Sequence, residues 1–415
     1  MKTNRWLIRI AFVVVATVPS AAALLAAPAA QADVVTDANV KAADIASKLP
    51  ATPPAVRVMA YVQVSVFEAV NAITDRYPPL MAKINAPAGG SVDGAVAAAT
   101  RTALSRLMPP AYQAAIDADY AAALKLIADG PAKTTGIAVG EQAAAGCLAR
   151  VDEGLNLPDT YRPHTAAGVY VPTMLPAVPN WGKRKPWAMA SGSQFRPGPP
   201  PGLTSERWAR DYNEIKALGA KNSTQRTPEQ TAIAKFWEAT SPVVYWPVAR
   251  SVAVAPGRDV TANARLLAIA AMAMDDGLMA VFDAKYTYNF WRPVTAIRNG
   301  DADGNGAPER DPSWTPFIDT PMHPEYPCAH CIVAGSLGAV LRAELGSGPV
   351  PNLSAASYTA GGAVRTWKTV DDFVQEVAVA RIYDGVHYRN STEVGTAMGK
   401  QIGELAVKSF PKPLR

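Results

Sequence analysis

Apolar residues return at three- and four-residue intervals over most of the chain, the period of helices that bury one face. Residues 56–73 place Met59, Val62, Val66 and Val70 on one such stripe. Similar stripes predict helices over 92–108, 112–127 and 137–151. Thr227-Pro228-Glu229-Gln230 reads as a helix start, with a threonine cap, proline in the first turn and Gln230 placed to reach back. That helix is expected to run to about Ala239 and stop before Pro242. A longer pattern extends from Thr261 to about Phe290 and breaks before Pro293, and further helices are predicted over 330–345, 370–383 and 394–408. Few stretches alternate with period two. The predicted fold class is therefore all-α, a large helical bundle.

One segment departs from this pattern. Residues 157–203 are rich in proline, glycine and aromatics, including Trp181-Gly182-Lys183-Arg184-Lys185-Pro186-Trp187 and Gln194-Phe195-Arg196-Pro197-Gly198-Pro199-Pro200-Pro201. A linker seldom carries this many tryptophans. A long ordered loop packed over the bundle, at the mouth of a site, is the better reading. Its basic residues are equally compatible with solvated surface.

Composition and the two ends of the chain narrow the class. Lys2, Arg5 and Arg9 precede an uncharged run from Ile10 to Ala30, and Ala30-Gln31-Ala32 fits an A-x-A cleavage site ahead of Asp33. The run is long enough to span a bilayer, so an uncleaved anchor is the alternative; Pro19, Pro28 and its alanine-rich second half argue for cleavage. Residues 1–32 are thus expected to be a signal peptide, and the mature protein to be secreted or periplasmic without stable membrane insertion. Losing Lys2, Arg5 and Arg9 takes the formal charge from +5 to +2, which leaves no electrostatic case for nucleic acid. Residues 33–415 are expected to form a single all-α domain. The three cysteines are too few for a disulfide scaffold. Cys147 lies in an alanine-rich helical stretch and reads as a small buried residue.

The scarce histidines fall among cations. Of four in the chain, His330 follows Pro327-Cys328-Ala329 at a loop-to-helix junction, and His387 follows Arg381 by six residues. A turn entering a helix offers free N–H groups and the positive dipole end to an anion. Upstream, Lys285 and Arg292 are seven residues apart, which on one helix would point them the same way, two turns apart. Asp384-Gly385 would end a helix between Arg381 and His387 and let both side chains converge. Forked guanidinium donors, a lysine point charge and imidazoles titrating near working pH are what a tetrahedral oxyanion site needs.

Taken together these residues resemble the three-part signature of the vanadium-dependent haloperoxidase and type 2 phosphatidic acid phosphatase superfamily: K-x6-R-P, then P-S-G-H, then S-R-x5-H-x3-D. Lys285, Arg292 and Pro293 match the first part, Pro327 and His330 the second, Arg381 and His387 the third. The resemblance is specific from Lys285 to about Ser391; the phrases at 187–201 and 323–326 resemble the haloperoxidase-like branch. Four positions depart from it: Cys328 for serine, Ala329 for glycine, Ala380 for serine and Ser391 for aspartate.

The resemblance implies roles. Lys285, Arg292 and Arg381 would hold the equatorial oxygens of vanadate or phosphate, with the Ala329 N–H as a further donor. Cys328 offers a weak thiol where the family has a hydroxyl. His387 would be the axial vanadium ligand, or the nucleophile of a phosphatase, and His330 the general acid/base. With Ser391 in place of the aspartate, Asp384 or Glu393 would have to fix the tautomer of the axial histidine. The implied cofactor is vanadate, with phosphate able to occupy the same site.

Three functions follow in order of preference: a secreted vanadium-dependent haloperoxidase-like enzyme using peroxide and halide; an acid phosphatase acting on phosphomonoesters through a histidine nucleophile; and an oxyanion-binding homologue impaired in catalysis. In each the partner is a small molecule. The oligomeric state is not fixed by the chain, a homo-oligomer included.

Other signals are weaker. Cys328-Ala329-His330-Cys331 has thioredoxin-like spacing without a βαβ setting, so a structural or adventitious disulfide is the better reading. Asp301-Ala302-Asp303-Gly304-Asn305-Gly306 imitates a calcium loop, but position twelve is Pro312, and a polar connector is expected. Residues 395–400 are too short for a P-loop. His323 lies near the candidate site in sequence, and His164 reads as a loop residue.

Overall fold

The computed structural model describes residues 32–151, 160–240 and 242–414. The expected signal peptide and part of the 157–203 segment lie outside the described residues. Among those described, 57% helix in 13 helices is accompanied by a single two-stranded sheet, as the all-α reading requires. In chain order the helices are α1 (Val34–Ala46), α2 (Thr52–Thr74), α3 (Val92–Leu107), α4 (Gln113–Lys125), α5 (Pro131–Leu148), α6 (Glu206–Leu218) and α7 (Pro228–Trp237). They continue with α8 (Pro242–Ala253), α9 (Val260–Tyr288), α10 (Pro293–Arg298) and α11 (Ala329–Leu345). After the hairpin of β1 (Leu353–Ser357) and β2 (Ala363–Trp367) come α12 (Val370–Tyr383) and α13 (Arg389–Ser409).

The axis of the molecule is α9. Asp259 caps it by accepting the Ala262 N–H at 2.8 Å, and almost every residue from Thr261 to Lys285 is buried. A helix apolar all round must be enclosed on all sides. Here α2, α11 and α13 pack against it. Helices α11 and α13 pack closely, and a Cβ on Gly399 would fall 2.3 Å from the Ile332 carbonyl oxygen. Only glycine lets the backbones approach that closely. One contiguous apolar cluster runs from Val35 in α1 to Phe410 beyond α13. Helix α2 is apolar and long enough to cross a membrane by composition, yet 89% of its most apolar window is buried inside the protein.

Elements that the apolar pattern did not flag are α1, α6, α8, α10 and the hairpin. The helix begun at Thr227 stops before Pro242 as expected, and Pro242 itself begins α8, with Pro247 inside it. Proline in the first turn of a helix removes no hydrogen bond that the helix would otherwise make.

The aromatic segment packs over the bundle. The carboxylate of Asp276, in the middle of α9, accepts the N–H groups of Trp187, Ala188 and Met189 at 2.7, 2.8 and 3.1 Å. Its neighbour Asp275 accepts from Trp187 Nε1 at 2.8 Å and from Arg57 at 2.9 Å. Arg196 makes a paired contact with Asp283, so this basic residue is held rather than solvated. The polar connector ahead of the second motif is tied down by Asp303, which accepts Trp208 Nε1 at 2.8 Å. Cys147 is buried, and His164 is an exposed loop residue.

Candidate active site

Lys285 lies in the last turn of α9, which Asn289 terminates in the left-handed conformation at φ 47°. Arg292 is then the extended residue before α10. The pair is therefore not on one helix, as the seven-residue spacing suggested; a chain reversal at Asn289 separates them. Both are buried, and both are fixed by the loop that carries His323, Pro324 and Glu325. Lys285 Nζ donates to the carbonyls of Pro324 and Glu325 at 3.0 and 2.7 Å. Arg292 donates through Nε to the His323 carbonyl and through one terminal nitrogen to the Val386 carbonyl, both at 2.9 Å. Its other terminal nitrogen meets His323 Nδ1 at 2.9 Å. The same ring nitrogen also lies 3.1 Å from the Pro324 carbonyl.

Arg381 and His387 converge as the Asp384-Gly385 step implied. α12 ends at Tyr383, Gly385 takes φ 79°, and a Cβ there would meet the Gly219 carbonyl at 2.3 Å. The reversed chain lets the His387 N–H donate to the Arg381 carbonyl at 3.2 Å. Arg381 donates to Trp237 O at 2.9 Å and to Asp384 at 2.5 Å. Its Nε is buried without a partner. His387 Nε2 faces Arg292 at 3.4 Å.

The partner of His387 corrects the sequence reading. Neither Asp384 nor Glu393 substitutes for the aspartate missing at Ser391. Asp384 is committed to Arg381, and Glu393 is exposed. Glu325 takes the place instead: its Oε1 lies 2.7 Å from His387 Nδ1 and accepts the Tyr388 N–H at 3.2 Å. Ser391 Oγ is 3.5 Å from the same ring nitrogen. A carboxylate on Nδ1 fixes the proton there and leaves Nε2 with its lone pair. The only advance signal was an acid inside His323-Pro324-Glu325-Tyr326-Pro327, a proline-framed run leading into the motif.

His330 is the second residue of α11, and its Nε2 is buried without a partner. Cys328 caps the same helix and is bonded to Cys331, whose N–H donates to the Cys328 sulfur at 3.3 Å. With its sulfur in that disulfide, Cys328 has no S–H to donate. Ala329 follows as the first helical residue and lines the cavity; Ala380 is buried inside α12.

A cavity of about 250 Å³ opens onto this cluster. Its polar end is His323, His330, Arg381 and His387, and its other walls include Val56, Val178, Leu278, Phe282 and Val333. Ala177 and Val178 bring the aromatic segment to the wall of the cavity. A second cavity of about 270 Å³, between α1, α3 and α4, holds no histidine and none of the motif residues.

Electrostatics at the polar end are lopsided. Burial, then Arg292 and Arg381, push Lys285 well below the usual lysine range. Arg292 is lowered to about 10, chiefly by burial. Burial and the surrounding cations likewise hold His323, His330 and His387 well below the usual imidazole range. The two nearby carboxyls, Glu325 and Asp384, are pushed up to about 7, burial outweighing their cationic neighbours. Cations that depress one another this way are relieved by an added anion. The unpartnered donors and the Lys/Arg/Arg/His set fit a tetrahedral oxyanion such as vanadate.

The architecture is a helical bundle, with its buried cations and histidines gathered at one cavity. Residues 265–415 match the family model of the VCPO second helical-bundle domain. A vanadium chloroperoxidase from Curvularia inaequalis is 27% identical over 251 residues, covering 52% of this chain but only 38% of that protein. Among solved structures, a bacterial vanadium-dependent iodoperoxidase superposes with a TM-score of 0.76 at 24% identity, covering 92% of this chain and 96% of the other. The holo form of a bacterial vanadium-dependent chloroperoxidase gives 0.68 at 18% identity, covering 88% and 94%. These two establish the fold. The family match covers the C-terminal third of the chain, the part that carries the motifs Lys285-Arg292-Pro293, Pro327-His330 and Arg381-His387.

Proposed function

We propose that this protein is a vanadium-dependent haloperoxidase-like enzyme that binds vanadate between Lys285, Arg292, Arg381 and His387. The observation that carries the reading is the buried cluster of Lys285, Arg292 and Arg381, with Arg381, His330 and His387 lining one cavity, Arg381 Nε lacking an acceptor and His330 Nε2 lacking any partner. Leaving such groups unpaired in a folded core costs about 1–3 kcal/mol each, a penalty that an oxyanion would remove.

The chain's own residues divide the work. Lys285, Arg292 and Arg381 neutralise the oxyanion oxygens, and the Ala329 N–H at the start of α11 adds a backbone donor. His387 would hold the group through Nε2, because Glu325 keeps the proton on Nδ1. Bound vanadate supplies a Lewis acid that activates peroxide toward oxidation of a halide. His330, kept neutral by burial, can take a proton from a bound reactant and return it to the leaving oxygen. The apolar walls exclude water from the cations and so strengthen their field.

The same cage would support a phosphatase with His387 as nucleophile, so the assay must address both. Purified protein is given vanadate, peroxide, halide and a phenol dye, and separately a phosphomonoester with vanadate as competitor. Vanadate-dependent halogenation is expected; phosphate-ester turnover without halogenation would reverse the assignment.

We further propose that residues 1–32 direct export and that 33–415 work as one catalytic domain. The charged, apolar and small-residue order of the leader supports export, as does the Cys328–Cys331 disulfide in an oxidising compartment. N-terminal sequencing of the exported protein should begin at Asp33; retention of the leader would refute cleavage.

A further inference from the structure

Among the tyrosines, Tyr245 is singular in where its hydroxyl ends. The hydroxyls of Tyr61, Tyr212 and Tyr326 each donate to a backbone carbonyl. Tyr245, in the first turn of α8, is 3% exposed, and its ring packs against Trp237 with centroids 5.7 Å apart. Its hydroxyl is buried without any partner among the described residues. Yet it lines the same cavity as His330, Arg381 and His387, and it lies within the field of Arg381. The Tyr388 hydroxyl also lacks a partner, but that residue borders a space of only about 10 Å³.

A hydroxyl is missing from the place where the motif would supply one. Cys328 stands at the serine position, its sulfur is bonded to Cys331, and it accepts an N–H rather than donating. It does not border the cavity, whereas Ala329 and His330 do. The anion would thus lack its hydroxyl donor from the second motif, while a residue of α8 that lines the same cavity carries an unused hydroxyl.

We propose that Tyr245 is an anion-binding residue of this site, its hydroxyl donating to the oxyanion seated against Arg381 and His330. It takes over the hydrogen bond that the motif serine would make. The inference rests on the oxyanion-site reading above and deepens it by adding a donor from outside the 265–415 segment. Burial raises the phenol above its ordinary range, so it stays protonated, a donor, at any working pH. The unpartnered hydroxyl is also why Tyr245 can be changed without disturbing the apo fold: phenylalanine keeps the ring against Trp237.

The test is calorimetric titration of the metal-free protein with orthovanadate, and separately with inorganic phosphate, for wild type and Tyr245→Phe, with melting temperatures of both unliganded proteins. Tyr245→Phe is expected to bind both anions about tenfold or more weakly, the scale of one hydrogen bond to a charged group, with melting unchanged or slightly higher. Equal affinities in the two proteins overturn the assignment of Tyr245 and leave the oxyanion site standing. Wild type that binds neither anion sinks the site itself, and this inference with it. A lower melting temperature with unchanged affinity makes Tyr245 structural and also overturns the assignment.

Discussion

Helix α9 carries two buried charged clusters that differ in one respect. At its centre, both oxygens of Asp276 are taken by the N–H groups of Trp187, Ala188 and Met189, and Asp275 is paired with Arg57 and Trp187 Nε1. At its end, Lys285 joins Arg292, Arg381 and three imidazoles, and donors there are left without acceptors. The first cluster spends all of its donors and most of its acceptors on the protein, Asp275 Oδ1 alone being left over, and so pins a loop. The second keeps capacity in reserve, which in a buried setting is unfavourable unless something else binds. Buried charge alone does not mark a site; buried charge with unused donors facing a cavity does.

The largest test of this contrast removes the two site histidines one at a time. His330→Ala should leave vanadate bound while turnover falls on the order of 100- to 10,000-fold, the usual cost of a lost general acid/base. His387→Ala should lose vanadate binding and turnover together. If both substitutions instead lowered the melting temperature and left activity per folded molecule intact, the histidines would be structural, like the carboxylates at the centre of α9.

Next in size is the reciprocal substitution. Asp276→Ala frees three loop N–H groups, and should cost on the order of 3 kcal/mol in denaturant unfolding. Vanadate affinity should move by less than about threefold, since none of the cage donors touches Asp276. A large loss of affinity with little loss of stability would erase the distinction between the clusters.

A smaller effect is expected from Glu325, through pH. Its folded value, about 7, lies above the ordinary 4.5, so the native state takes up this proton more readily than the unfolded chain. The stability it contributes is complete below about pH 4.5 and is lost as pH rises to about 7. The depressed histidines act in the opposite sense, their contribution being present above about 6.5 and lost as pH falls, but they are common to wild type and Glu325→Gln. The stability difference, wild type minus variant, should therefore shrink between pH 4.5 and 7 in denaturant titrations. A difference that grew over that range would place Glu325 in an ionised pair in the apo protein.

Much of this was legible in the sequence because it is local. The stripe over 56–73, the Thr227 capping box and the helix over 370–383 depend on residues within a few turns of one another. The motif residues were legible for the same reason, each part being a short fixed spacing. Helix α8 was hidden because Pro242 and Pro247 read as breaks, although one of them starts the helix. The apolar face of α6, with Trp208, Tyr212 and Ile215, was present in the sequence but diluted by charge. Glu325 and Tyr245 were out of reach on different grounds. Glu325 meets His387 across 62 positions, and Tyr245 matters through the absence of any partner, which no linear pattern encodes.

The most direct test of the account is the stoichiometry and affinity of orthovanadate for the metal-free protein, by calorimetry, in wild type and His387→Ala. One vanadate per chain is expected for wild type. At a hundredfold excess over the dissociation constant it should stabilise the fold by about 2.7 kcal/mol, and His387→Ala should lose most of this. Equal binding by the two proteins, or none by wild type, would contradict the assignment of this cluster as an oxyanion site.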